Sequence, residues 1–300
     1  MKRTLLLICT LLCANVLFAQ EQLAVLKHND STSVFYGTSA FEQAYTAATH
    51  GDIITLSDGI FSTPNEIRKG ITVRGNGAVV DTARKSTGTY FMEGFEVRNL
   101  GDSLQFSAEG IYFAHFYTYQ SYDIKLTRCY INSFNPASGA QATNCIINQG
   151  VSGSSTDLHG TSSRYNTYIN CVLYTPSSLL PYYATCNNCI MSGRLDYNNY
   201  PYYQYNNCVV IKRENNNDTI LNGTVNNSVL IGFTGSDSPA SSGNVAMSLS
   251  DVFENWDGAS LPTDLETYVL KSSVSDSIQS LDGTEVGIFG GFMPFDWRPS

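Results

Sequence analysis

Asn144-Cys145-Ile146-Ile147 is the first complete copy of a tetrapeptide that returns as Asn170-Cys171-Val172-Leu173, Asn188-Cys189-Ile190-Met191 and Asn207-Cys208-Val209-Val210. A later copy, Asn227-Ser228-Val229-Leu230, puts serine in the cysteine slot, and an earlier one, Arg128-Cys129-Tyr130-Ile131, puts arginine in the asparagine slot. Successive Cys or Ser positions are 16, 26, 18, 19 and 20 residues apart. Fixed strands joined by loops of variable length produce such a period, and each copy is a short run rich in β-branched residues bounded by Asn, Gly, Ser or Pro. None carries the apolar spacing of three and four that helical repeats need. The fold read from these copies is all-β, a single right-handed parallel β-helix.

Each slot in the tetrapeptide has a physical role in that reading. Asparagine tolerates left-handed backbone, so it can make the tight bend between two strands of a coil. Stacked coils would place Asn144, Asn170, Asn188 and Asn207 in one file about 4.8 Å apart, where their amides could bond to one another as a ladder. The following cysteine and the residue two further on should both point into the core.

Weaker copies extend the pattern in both directions. Ile53-Ile54-Thr55-Leu56, Ile71-Thr72-Val73, Phe95-Glu96-Val97, Gly110-Ile111-Tyr112-Phe113 and Ile124-Lys125-Leu126 read as strands, and Tyr268-Val269-Leu270 and Val286-Gly287-Ile288-Phe289 read as the last coils. The count comes to about 11 or 12 coils. Residues 38–50 read as an N-terminal capping helix, with Ser39 and Glu42 as a capping box and Phe41, Tyr45 and Ala48 on one face.

Residues 1–19 have the layout of a secretory signal: Lys2 and Arg3, an apolar run from Thr4 to Phe18, then Ala19, with Gln20 opening the mature domain of residues 20–300. Cys13 follows Leu11-Leu12, where a lipoprotein signal wants small residues, so lipidation is disfavoured. No second apolar run is long enough to span a bilayer. As Lys2 and Arg3 leave, the formal charge moves from −9 to −11, and no basic stripe remains to grip nucleic acid. Localisation is read as secreted, periplasmic or cell-surface.

The run from Phe41 to Phe61, the stretch Ile71-Thr72-Val73-Arg74-Gly75-Asn76-Gly77 and the segment Asp282 to Gly291 resemble pectin-lyase-like parallel β-helix proteins, in particular secreted members from Gram-negative bacteria. The resemblance implies a closing coil at residues 282–291. It also brings lyases, hydrolases and adhesins into view, so function must be argued from sites. A calcium-dependent lyase would need several carboxylates on adjacent coils, yet Asp157 and Asp196 are the only acids between Ile124 and Arg213. The same scarcity disfavours a polygalacturonase-like pair of carboxylates.

Two candidate sites remain. Asp157, His159 and Arg164 sit in the long Gly150–Tyr165 loop, where a His or Tyr base and an Arg could serve a metal-independent lyase acting on acidic polysaccharide. The plainer reading is a solvated polar loop. Tyr182, Tyr183, Tyr197, Tyr200, Tyr202 and Tyr203 crowd two inter-coil segments, and Tyr119 and Tyr122 follow Phe113 and Phe116 in another. Tyrosines suit stacking on sugar rings; alternatively they cover the outward Ile190 and Val209. The favoured function is non-catalytic glycan or polysaccharide binding through that tyrosine-rich lateral face, with the lyase and a structural or adhesin protein as alternatives. No metal or other cofactor is expected. The cysteines at 129, 145, 171, 189 and 208 read as a packed core column, and off-phase Cys186 is the one expected in a disulfide.

Overall fold

The computed structural model describes residues 21–83, 85–101, 103–120, 123–136, 139–148, 161, 164–179, 181, 183–194, 203–213, 223–233, 243–258 and 260–297. The parallel β-helix is present as a stack of about eight turns, fewer than the period alone gives. The difference lies at the C-terminus. Tyr268-Val269-Leu270 and residues 286–289 form no strand of either sheet, and Tyr268, Leu270, Val286 and Ile288 pack against the outside of the stack instead of extending it.

Among the described residues, two sheets of 11 strands each run along the rod. In the first, β1 (Leu23–His28) and β2 (Ser31–Tyr36) form an antiparallel hairpin, and β1 also pairs antiparallel with β3 (Ile53–Leu56). Parallel strands then follow, among them Gln141–Thr143, Asn166–Ile169, Ala184–Asn187, Tyr203–Asn206 and Thr224–Asn226. The second sheet contains Thr89–Arg98, Tyr112–Tyr119, Tyr130–Ile131, Ile146–Asn148, Val172–Leu179, Ile190–Arg194, Val209–Lys212 and Val229–Ile231. The hairpin is an addition to what the repeats foretell. Its Asn29-Asp30 turn, with Asn29 at φ 50, is the kind of short polar turn that joins two twisted strands.

Between the sheets, one left-handed residue makes each bend. Arg128, Asn144, Asn170, Asn188, Asn207 and Asn227 all have φ between 45 and 56, and the strand registers put them in one file. Cys145 and Ile147, Cys171 and Leu173, and their equivalents all face the core and are fully buried. The core changes filling along the rod: Phe91, Phe95, Phe106, Phe113, Phe116 and Phe134 pack ring against ring in the early coils, and the cysteine column follows. Phe113 and Phe116, which the sequence groups with surface tyrosines, therefore belong to the interior.

All six described cysteines are buried free thiols, Cys186 included, so the bridge expected there is not formed. The backbone N–H of Cys129 meets Cys145 Sγ at 3.5 Å, that of Cys189 meets Cys208 Sγ at 3.4 Å, and that of Cys208 donates to Ser228 Oγ at 3.0 Å. Serine fills the slot because the slot asks for a small acceptor. Burial pushes the Cys145, Cys171 and Cys189 thiols well above their ordinary range, so they stay protonated.

Helix α1 (Ala40–Ala47) lies against the hairpin and β3, and Phe41 packs on Phe91 and Phe95 at 4.9 and 5.8 Å. The expected capping box is not formed. Ser39 has φ −87 and ψ 7, not the extended backbone a box requires, and its Oγ accepts from Gln43 Nε2. At the other end of α1, Lys69 Nζ donates to the carbonyls of Tyr45, Thr46 and Ala48.

The asparagine file also departs from a simple ladder. Side-chain amides do bond in series, but one residue earlier: Asn226 Nδ2 to Asn206 Oδ1 at 3.1 Å and Asn206 Nδ2 to Asn187 Oδ1 at 3.0 Å. The left-handed asparagines turn outwards and hold the C-terminal segment. Asn227 donates to Gln279 O, Asn207 Oδ1 accepts from Leu281 N, and Asn188 donates to Glu285 O. Asn170 donates to both Ile288 O and Gly290 O, and Asn144 to Pro294 O. The segment thus runs back along the rod from the last coils towards the first.

Candidate functional site

The second residue after each left-handed bend points out of the second sheet. In the later coils this outward position holds Ile146, Val172, Ile190, Val209 and Val229. Val252, Phe253, Trp256, Leu270, Val274, Val286 and Ile288 cover that aliphatic file, supplied by α2 (Leu249–Val252), α3 (Ser272–Ser277) and the segment beyond. The C-terminal segment therefore supplies cover that the sequence demands over Ile190 and Val209.

In the earlier coils the same outward position holds Tyr90, Tyr112 and Tyr130, in register with one another and with Ile146. Here the cover thins: Tyr130 is still buried under it, whereas Tyr112 and Tyr90 are half-buried. The three rings form a column, with centroids 5.3 Å apart between Tyr90 and Tyr112 and 5.2 Å between Tyr112 and Tyr130. Around them opens a cleft of about 800 Å³. One wall is the turn Asn76–Thr82; the other is Thr263, Asp264, Leu265 and Trp297 from the C-terminal segment. Tyr112 and Tyr130 lie nearly parallel, at 13°, so each ring covers a face of the other. Burial raises the pKa of both phenols, which keeps them as neutral donors and acceptors. Asp81 and Asp264 add carboxylates at the rim, each accepting one backbone N–H, from Ala83 and Glu266.

This cleft combines apolar ring surface with several polar tips in a concave site, the composition of a small-ligand or sugar-binding surface. The tyrosine column was visible in the repeat: Tyr90, Tyr112 and Tyr130 occupy the phase that is aliphatic in every later coil. Trp297 had no such signal, because nothing in its local sequence says that the chain folds back.

The residues singled out from the sequence fare differently. Asp157, His159, Tyr122, Tyr182, Tyr197, Tyr200 and Tyr202 lie outside the described residues. Arg164 is exposed and pairs through its backbone with Thr161. Tyr203 is only 2% exposed and packs in the core against Tyr205, which removes it from any lateral face. Tyr183 packs on Tyr165, and Tyr119, 53% exposed, lies beside the guanidinium of Arg98. Arg128, which takes the asparagine slot, pairs with the Glu109 carboxylate. Among the described residues, no three His, Cys, Asp or Glu side chains are grouped to hold a metal ion, and no helix is long and apolar enough to cross a membrane. Comparison with protein-family models, with curated proteins and with solved structures returned no match to this chain.

Proposed function

We propose that the chain is a non-catalytic glycan-binding β-helix and that the Tyr90–Tyr112–Tyr130 cleft is its binding site. The observation that carries this reading is the change of residue type along one outward file. It is aliphatic from Ile146 onwards, beneath the C-terminal segment, and tyrosine at 90, 112 and 130, where a cleft opens beside the file and burial falls from nearly complete at Tyr130 to partial at Tyr112 and Tyr90. A position that only filled space would have no need of phenolic tips. The ligand class is a neutral oligosaccharide, whose apolar ring faces and hydroxyls match an aromatic surface edged by hydroxyl and carboxylate oxygens. Export through the leader at residues 1–19 belongs to the same reading.

Calorimetric titration with a panel of neutral oligosaccharides tests it. Trp297→Ala and Tyr112→Ala should each weaken binding about threefold to tenfold, the worth of one aromatic contact, with unchanged circular dichroism. Silence across the panel, or binding indifferent to both substitutions, would sink the proposal.

A further inference from the structure

Among the described residues, the first sheet ends at the N-terminus in a strand with no outer strand neighbour. β2 pairs with β1 from Leu23↔Tyr36 to His28↔Ser31 without a bulge, and with no other strand among the described residues. Hydrogen bonds fix which backbone groups it leaves open. Leu23 O accepts from Ser57 N, on the β3 side of β1, and Gln22 O accepts from Gly37 N, on the β2 side. By alternation Ser31, Ser33 and Phe35 point their N–H and C=O groups at β1. Thr32, Val34 and Tyr36 point theirs away from the molecule.

Natural sheets protect such edges with lysine, proline, bulges or inward charges. The six residues Ser31-Thr32-Ser33-Val34-Phe35-Tyr36 contain none of these, and Val34 and Tyr36 are 44% and 56% exposed. We propose that β2 is the seam of a two-fold homodimer, joining two rods end to end through a continuous antiparallel sheet. The axis passes beside Val34. Val34 of one copy faces Val34 of the other, and Thr32 faces Tyr36 on either side.

A second copy fits this edge better than other occupants on two grounds. The strand carries no charge, so self-pairing brings no like charges face to face across the axis. The register is also self-complementary over the full six residues, whereas the far edge of the same sheet, Thr224–Asn226, offers only three. Isologous pairing closes with two copies, as most soluble homo-oligomers do.

Sedimentation of the full chain should show a concentration-dependent dimer and no larger species. Val34→Cys should cross-link under mild oxidant, since facing residues in a hydrogen-bonded antiparallel pair sit about 5.5 Å apart, within disulfide reach. Ser33→Cys, which would face Phe35, should not exceed the background of the parent chain. Val34→Pro removes only the outward N–H and should give a monomer with an unchanged melt. Should that variant disturb the hairpin, Val34→Lys provides the second reading, with at least a tenfold weaker dimer that recovers in high salt. A parent chain that stays monomeric at all concentrations, open-ended oligomers, or equal cross-linking at positions 33 and 34 would overturn the proposal.

Discussion

Asn170 sits at φ 49 with its amide between the carbonyls of Ile288 and Gly290, at 2.9 and 2.7 Å, both bonds buried. One side chain therefore does two jobs: it makes the bend, and it anchors a segment from the far end of the chain. Substitutions separate the two. Asn170→Gly keeps the bend but leaves two buried carbonyls without their donor, and should cost about 1–3 kcal/mol in urea unfolding. Asn170→Ala should cost about 1–2 kcal/mol more, because a β-carbon is strained in the left-handed region. The bend was legible in the tetrapeptide, since asparagine is one of few residues that accept it, and so was the inward cysteine. The partner of the amide was not, because it lies 118 and 120 residues away, beyond anything a local pattern encodes.

At the scale of elements, the N-terminal hairpin is held to the first coil by a buried carboxylate. Asp52 accepts from Thr49 N at 2.6 Å and meets His28 Nδ1 at 2.8 Å. Burial alone would raise its pKa, but the Thr49 N–H and His28 outweigh it and the net shift is downwards. A carboxylate with a lowered folded pKa contributes fully above its ordinary value of 3.8, and that contribution is lost as pH falls through the lower folded value. Asp52→Asn should therefore lower the melting temperature at neutral pH, and the gap to the parent should close in acid; a constant gap would contradict this. Helix α1 was readable from its apolar stripe, whereas its capping box was not formed, because a motif specifies residue types and not the backbone angles that let them reach. The hairpin left a faint mark in Asn29-Asp30 between two alternating stretches, which the stronger repeats overshadowed.

Over the whole molecule, the repeats revealed the stack but placed its end wrongly. Val286 and Ile288 alternate with glycine and are almost fully buried, as a last coil would be. Alternation shows that one face is covered without saying whether the cover is the interior or the outer flank. The docked segment depends on close backbone approach at Gly290, where a β-carbon would stand 1.7 Å from Glu285 O and 2.7 Å from Asn188 Nδ2. Gly290→Ala should cost about 1–3 kcal/mol by overpacking. It should also raise binding of a hydrophobic dye as the aliphatic file is uncovered, and it should weaken glycan binding because Trp297 moves with the segment. Retained dye exclusion and glycan affinity would show that the segment tolerates the change.

The backward run of residues 279–294 has a consequence for biosynthesis. A coil needs only its predecessor, about twenty residues upstream, so stacking can keep pace with a chain leaving the ribosome. The contacts of residues 279–294 instead reach back across 52 to 150 positions. Until residues 279–294 have been made, each coil already built from Ile146 onwards carries a bare aliphatic flank, and that interval is when a nascent chain is most exposed to clumping with its neighbours.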